Sequence, residues 1–412
     1  MTVTNFLKKL EQYAEITVKV GLNIQPGQAL WINAPILAPE LVRFITAKAY
    51  EAGAKDVYVE WYDDTITQLK YKMAPDEAFE QYPAWRVQAV EEIAENVGAY
   101  LLIDSRDPEL LKDAAPDRIA AYSKAAGKAL SKWRQHMTSD KFSWTIIGAA
   151  SRAWAKMVFP DLDGDEAVQA LWEAIFQASR VTGDNPVGNW EQHSASLQSK
   201  REYLTQKQYR KLHYRADGTE LTVELPKGHI WAGASAMNEK GASFSPNIPT
   251  EEVFTSPSRE GTNGYVRSSK PLSYQGNIIE NFAMKFENGK VVDFQAEQGY
   301  EALKGLLDLD EGARYLGEVA LVPHDSPISN SNLIFYQTLY DENASSHLAI
   351  GQSFAFCLEN GKNLSPEERL KAGLNDSNTH VDFMIGTADM DIDGETADGR
   401  LEPVFRKGNW AF

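Results

Sequence analysis

Through the first half of the chain, short runs of β-branched and aromatic residues alternate with stretches of helical spacing. Ala29 to Asn33 (ALWIN), Val57 to Trp61 and Tyr100 to Asp104 read as strands, and Pro39 to Gly53 and Trp85 to Val97 read as the helices between them. Ser143 to Gly148 (SWTIIG) reads as a further strand. Pro116 to His136 and Asp165 to Arg180 read as helices. Strands regularly separated by helices pair most readily in parallel, because the crossover helix packs back on the sheet. The expectation is an α/β N-terminal domain with a parallel sheet flanked by helices.

Near residue 205 the rhythm changes. Gln192 to Lys211 is polar and helical in pattern, and suits a connection between domains. Beyond it, Asp217-Gly218 and Asn288-Gly289 sit inside the alternating runs LHYRADGTELTVEL and FAMKFENGKVVDF, the arrangement of tight hairpins. Residues 206–412 are therefore expected to form a mixed, largely antiparallel α+β C-terminal domain, following an N-terminal domain over 1–205.

Composition narrows what such a chain can do. Its 412 residues, 43% hydrophobic, can bury cores for two domains, and no low-complexity stretch argues for disorder. A formal net charge of −17 disfavours nucleic acid and anionic membranes as partners. The N-terminal stretch MTVTNFLKKLEQYAEI lacks the apolar core of an export signal, so a cytoplasmic protein is expected. Cys357 is the only cysteine, which excludes an internal disulfide and a thiolate metal cluster. It lies in an apolar run, SFAFCL, that suits a buried, inert thiol. Any bound metal must be held by oxygen and nitrogen.

Several chemistries are absent. Gly127-Lys128 is followed by Ala129, so no phosphate-cradling loop forms there, and H-E-x-x-H, G-x-S-x-G and G-x-G-x-x-G do not occur. Attention falls on the histidines of the C-terminal half. If NTHVDFMIGT is a strand, its period of two puts His380, Asp382 and Met384 on one face and Val381, Phe383 and Ile385 on the other. In DENASSH, Asp341 and Glu342 precede His347. Glu251-Glu252 lie in NIPTEEVFTSP, and Glu318 stands inside the apolar run ARYLGEVALVP. A carboxylate buried there requires a cation, either a metal or a neighbouring base such as Arg314.

Four ordered segments, NIPTEEVFTSP, GARYLGEVALVP, LYDENASSHLAIG and NTHVDFMIGT, give the chain its resemblance to the aminopeptidase T family of dinuclear metallopeptidases. That family includes aminopeptidase S and the PepS-type aminopeptidases. Carried over position by position, the resemblance implies metal ligation by Glu252, Glu318, His347, His380 and Asp382, with two divalent ions per chain. Zinc, cobalt, manganese and magnesium all suit such donors. Adjacent residues of an extended chain face opposite ways, so Glu252 is taken as the ligand and Glu251 as facing solvent or an ion-pair partner. Glu318 and Glu342 are the candidates for handling the catalytic proton. The resemblance also implies peptide substrates with a free N-terminus and a homodimer. One departure stands out: seven residues after His347, where the family pattern has tyrosine, this chain has Phe354, with Tyr336 and Tyr340 nearby in sequence. The other readings are a metal- or peptide-binding homologue without turnover, and a dinuclear hydrolase of other amides or phosphoesters.

Overall fold

The computed structural model describes residues 2–275 and 277–412. The chain divides into two compact units, one of residues 1–192 with 235–249 and the other of residues 193–234 with 250–412.

The first unit is built on a five-stranded parallel sheet. Its order is Asn247–Ile248, Ser143–Gly148, Ala99–Asp104, Ala29–Pro35 and Asp56–Tyr62. Leu30, Ile32, Leu101, Ile103 and Ile147 are fully buried, as strands covered by helices require. The helices Pro39–Glu51, Ala84–Glu95 and Gly164–Ala178 lie where helical spacing predicts them. Pro116 to His136 does not form one helix. It divides into Pro116–Ala129 and Ser131–Thr138, because Leu130 leaves helical geometry (φ −94°, ψ 13°) and packs on the Trp133 and Phe142 cluster. The edge strand Asn247–Ile248 is too short to show a period.

The second unit carries two antiparallel sheets. The larger runs Lys290–Gln295, Ala283–Glu287, Thr262–Arg267, Thr219–Glu224, Lys211–Ala216, Asp391–Glu395, Leu401–Arg406, Asn409–Trp410. Both expected hairpins are present, pairing Ala216 with Thr219 and Glu287 with Lys290. Asn288 and Gly289 have φ of 49° and 80°, the two positive values a type I′ turn needs. A Cβ on Gly289 would also lie 1.7 Å from the Arg259 carbonyl oxygen, so only glycine fits. The smaller sheet is ordered His380–Met384, His347–Gly351, Leu316–Leu321, Val253–Thr255, Ala232–Gly233. The helix Pro186–Lys207 contains most of the polar stretch expected to be helical. Among the described residues no helix is long and apolar enough to cross a membrane.

Candidate metal centre

The smaller sheet sorts its side chains by parity. Val253, Val319, Leu321, Leu348, Ile350 and Phe383 join the buried apolar core of the unit. The alternate positions form the other face. Across the strands, Phe254 pairs with Ala320, Ala320 with His347 and His347 with Met384. One step along, Glu318 pairs with Ala349 and Ala349 with Asp382, while Gly351 pairs with His380. Directly paired residues share a face, and residues two apart on a strand do too. Glu252, Glu318, His347, His380 and Asp382 therefore converge on one side of one sheet. Ala320 and Ala349, both fully buried, are the short side chains among them.

The donor atoms fall into two overlapping groups. Glu252, Glu318 and His347 each bring an atom within 4.8 Å of the others, and so do Glu318, His380 and Asp382. Glu318 belongs to both. His347 Nε2 lies 3.1 Å from Glu252 Oε2, and His380 Nε2 lies 3.0 Å from Glu318 Oε2 and 3.4 Å from Asp382 Oδ1. The other ring nitrogens are engaged behind the site. His347 Nδ1 donates to the Ser345 carbonyl at 3.1 Å, and His380 Nδ1 to the Gln352 carbonyl at 2.8 Å. A carbonyl oxygen can only accept, so each Nδ1 carries a proton and each ring presents Nε2 to the carboxylates, the usual backing of a metal-ligating histidine.

Electrostatics point the same way. Burial first, then the charges of Asp382 and Glu252, push Glu318 up to about 7, against the opposing hydrogen bond from His380. Burial opposes the charging of His347, but the Glu252 hydrogen bond and the surrounding carboxylates override it and raise the imidazole to about 10. His380 is likewise raised well above its ordinary value: burial opposes, and Asp382 and Glu318 prevail. Burial would raise Asp382, yet the two imidazoles hold it below the usual carboxylate range. Asp382 Oδ1 is buried, and its contact with His380 Nε2 at 3.4 Å falls short of good hydrogen-bond geometry. Acids clustered together and imidazoles aimed among them by Nε2 fit divalent cations with oxygen and nitrogen ligands.

The remaining candidates are placed as follows. Glu342 is buried within the same charge field: burial, Asp382 and Glu252 raise its carboxyl well above the ordinary range. It belongs to neither donor group. Arg314 pairs with Asp308 at 2.5 Å, so the base that could have neutralised Glu318 points elsewhere. Glu251 does not face solvent. It is 3% exposed, and its Oε2 lies 3.6 Å from His193 Nε2. His193, in the helix Pro186–Lys207, also contacts the Thr250 carbonyl at 2.8 Å. Its surroundings are polar helix, and nothing local in the sequence marks it. Tyr340 stacks on Phe335 at 4.8 Å, and the charged neighbours acting on Tyr336 are Glu280 and Asp341 rather than the clustered acids. The Phe354 ring lies 4.8 Å from the His380 imidazole. Cys357 is buried, and burial holds its thiol well above the ordinary range.

The family profile described as thermophilic metalloprotease (M29) matches residues 6–410. The chain is similar to aminopeptidase AmpS of Bacillus subtilis (strain 168), with 55% identity covering 99% of this chain and 100% of that protein. It is 54% identical to aminopeptidase 2 of Geobacillus stearothermophilus, covering 98% of each chain. The solved structure of wild-type AmpT from Thermus thermophilus superposes with a TM-score of 0.93 at 41% identity, covering 99% of this chain and 100% of that one.

Proposed function

This chain belongs to the thermophilic metalloprotease (M29) family, and from that premise we propose that it is a metal-dependent aminopeptidase, releasing N-terminal amino acids from peptides with a free N-terminus. The observation that carries the reading is the convergence of Glu252, Glu318, His347, His380 and Asp382 on one sheet face, in two donor groups that share Glu318. Glu252, Glu318 and His347 would hold one divalent ion, and Glu318, His380 and Asp382 a second. Zinc, cobalt, manganese and magnesium are all compatible with these donors. When bound, such ions acidify a water and polarise the scissile carbonyl.

The protein's own residues supply the rest. A carboxylate of the site not neutralised by the ions can hold the substrate's terminal ammonium, which selects a free amine over a blocked one. Glu318, as the shared donor, is committed to ligation, so its candidacy for proton transfer passes to Glu342. That carboxyl lies within the charge field of Glu252, Glu318 and Asp382 without being part of either donor group, and can take a proton and return it to the leaving amine. Phe354 offers no phenolic donor at its position, so the oxyanion has no hydrogen bond from that side chain. Catalysis is assigned to residues 206–412. A cytoplasmic location and, on the family resemblance alone, a homodimer are part of the proposal, and the net charge of −17 is consistent with partners other than nucleic acid or membranes.

The test is hydrolysis of aminoacyl p-nitroanilides and dipeptides, with metal content measured in the same samples. Chelation should abolish turnover, divalent metal should restore it, and N-acetylation of a good substrate should nearly eliminate it. Full activity in a metal-free sample, or equal rates on free and acetylated peptides, overturns the reading.

A further inference from the structure

Two residues beyond Glu252 on the same sheet face stands Phe254, and it is not alone. The Phe254 and Phe354 rings meet edge to face at 5.5 Å, Phe354 and Phe356 stack at 5.1 Å with an interplanar angle of 23°, and Phe254 and Phe356 lie 6.1 Å apart. Phe354 at the same time touches the His380 imidazole. The trio is held firmly: the Phe354 amide donates to Ser256 Oγ at 2.9 Å, tying the turn that carries Phe354 and Phe356 to the end of the strand that carries Phe254. None of the three rings is in the buried core; each stays partly exposed. On the sheet face, the strand neighbours of Phe254 are Ala232 and Ala320, too short to cover it.

Three partly exposed phenylalanines packed together beside an acidic, histidine-bearing cluster expose apolar surface where a substrate must pass. If the terminal amine and first carbonyl of a peptide are anchored at the cluster, the first side chain branches one bond away and has to lie near His380 and its aromatic neighbour. We propose that Phe254, Phe354 and Phe356 form the wall that receives the side chain of the residue being released. The wall selects peptides that begin with a large apolar residue, such as leucine or phenylalanine, over those that begin with glycine, alanine or glutamate. The proposal rests on the aminopeptidase reading above. Apolar contact and exclusion of water favour the large side chain, and an acidic one would have to give up its hydration against the aromatic wall.

The experiment compares kcat/KM for phenylalanyl, leucyl, alanyl and glutamyl p-nitroanilides on the metal-loaded full chain and its Phe356→Ala and Phe356→Leu variants. Phe356 is chosen because its ring reaches Phe254 and Phe354, whereas the ring contact with His380 is made by Phe354. The expected phenylalanyl-to-alanyl preference is roughly 10–200-fold. It should fall by about tenfold in Phe356→Ala and by less in Phe356→Leu, whatever happens to the absolute rates. Calorimetric binding of free L-phenylalanine and L-alanine should show the same narrowing. An unchanged ratio in both variants, or loss of rate by one common factor on all substrates, overturns the proposal and leaves the trio as a support for His380. If no substrate is hydrolysed, the aminopeptidase reading fails; the two amino-acid affinities then decide the wall, which falls if they are equal in the wild type.

Discussion

Leu348 and Ala349 are consecutive in one strand and belong to opposite faces of the small sheet. Leu348 is fully buried in the apolar core, and Leu348→Ala should cost about 2–5 kcal/mol. At roughly 2–4 °C per kcal/mol for a domain of 150–250 residues, the melting temperature should fall by about 4–20 °C. Ala349 pairs directly with Glu318 on one side and Asp382 on the other, so Ala349→Val puts two methyl groups between two proposed ligands. Overpacking alone costs about 1–3 kcal/mol. The larger effect is on the cations. A ligand at a hundredfold excess over its Kd stabilises a protein by about 2.7 kcal/mol, a gain of roughly 5–10 °C here. The wild type should show that gain on adding divalent metal to chelated protein. Leu348→Ala should show it from a lower baseline, and Ala349→Val should show little or none. Scanning calorimetry with and without metal, together with metal content after dialysis, reads all three. If Ala349→Val binds metal with the wild-type increment, the space between Glu318 and Asp382 is not where cations sit.

Other outcomes are expected at separate positions. Asp382→Asn keeps the size of the side chain but removes its charge, so metal content and turnover should both drop while the circular dichroism spectrum is retained; normal metal content would reduce His380-Val381-Asp382 to an ordinary strand with an ion pair. Arg314→Ala should leave kcat/KM unchanged, because its guanidinium pairs with Asp308, and a large loss would reinstate it as the partner of Glu318. Asp341 accepts from the Phe335 amide at 2.8 Å and the Gln337 amide at 3.1 Å, while burial raises its carboxyl to about 6. Its folded value lies above the unfolded one, so its contribution to stability is complete below about pH 4 and is lost as pH rises through 6. Relative to Asp341→Asn, urea unfolding of the wild type should lose about 2 kcal/mol between pH 4 and pH 7, and a pH-independent difference would contradict the burial of an ionisable acid there.

The sequence carries a large part of this architecture because much of it is local. His380–Met384 is readable as a two-faced strand, and its apolar members Val381 and Phe383 do pack with the core. Glu318 is conspicuous because a carboxylate in a run of apolar residues must be neutralised somewhere, and all six residues of its strand are buried. Parity separates Glu252 from Glu251, and the two carboxylates do diverge, one toward His347 and the other toward His193. What sequence period cannot convey is adjacency between distant segments. The pairing of Val253–Thr255 with Leu316–Leu321 joins residues more than sixty positions apart, and the role of His193 behind Glu251 depends on a helix whose local pattern is simply polar. The two-residue strands have no period at all, and the helix break at Leu130 coincides with its packing on the cluster of Trp133 and Phe142, which neighbouring residues do not announce.

If the proposed site is where cations bind, the same sheet couples stability to function. Its core-facing side chains hold the strands in register, and that register forces Glu252, Glu318 and Asp382 together at a place where each would rather be hydrated. Proton uptake by His347 and His380 relieves part of the repulsion, which is why both imidazoles are drawn so far above their usual range. Divalent cations at the proposed site would relieve more of it, since each would bring two charges to a point that several carboxylates already face. On this reading the fold holds like charges together that metal binding would neutralise, and apolar packing on the far face keeps the arrangement from relaxing. Loosening that packing should weaken metal affinity only as far as it lets the carboxylates drift apart, whereas removing one carboxylate lowers affinity and strain together.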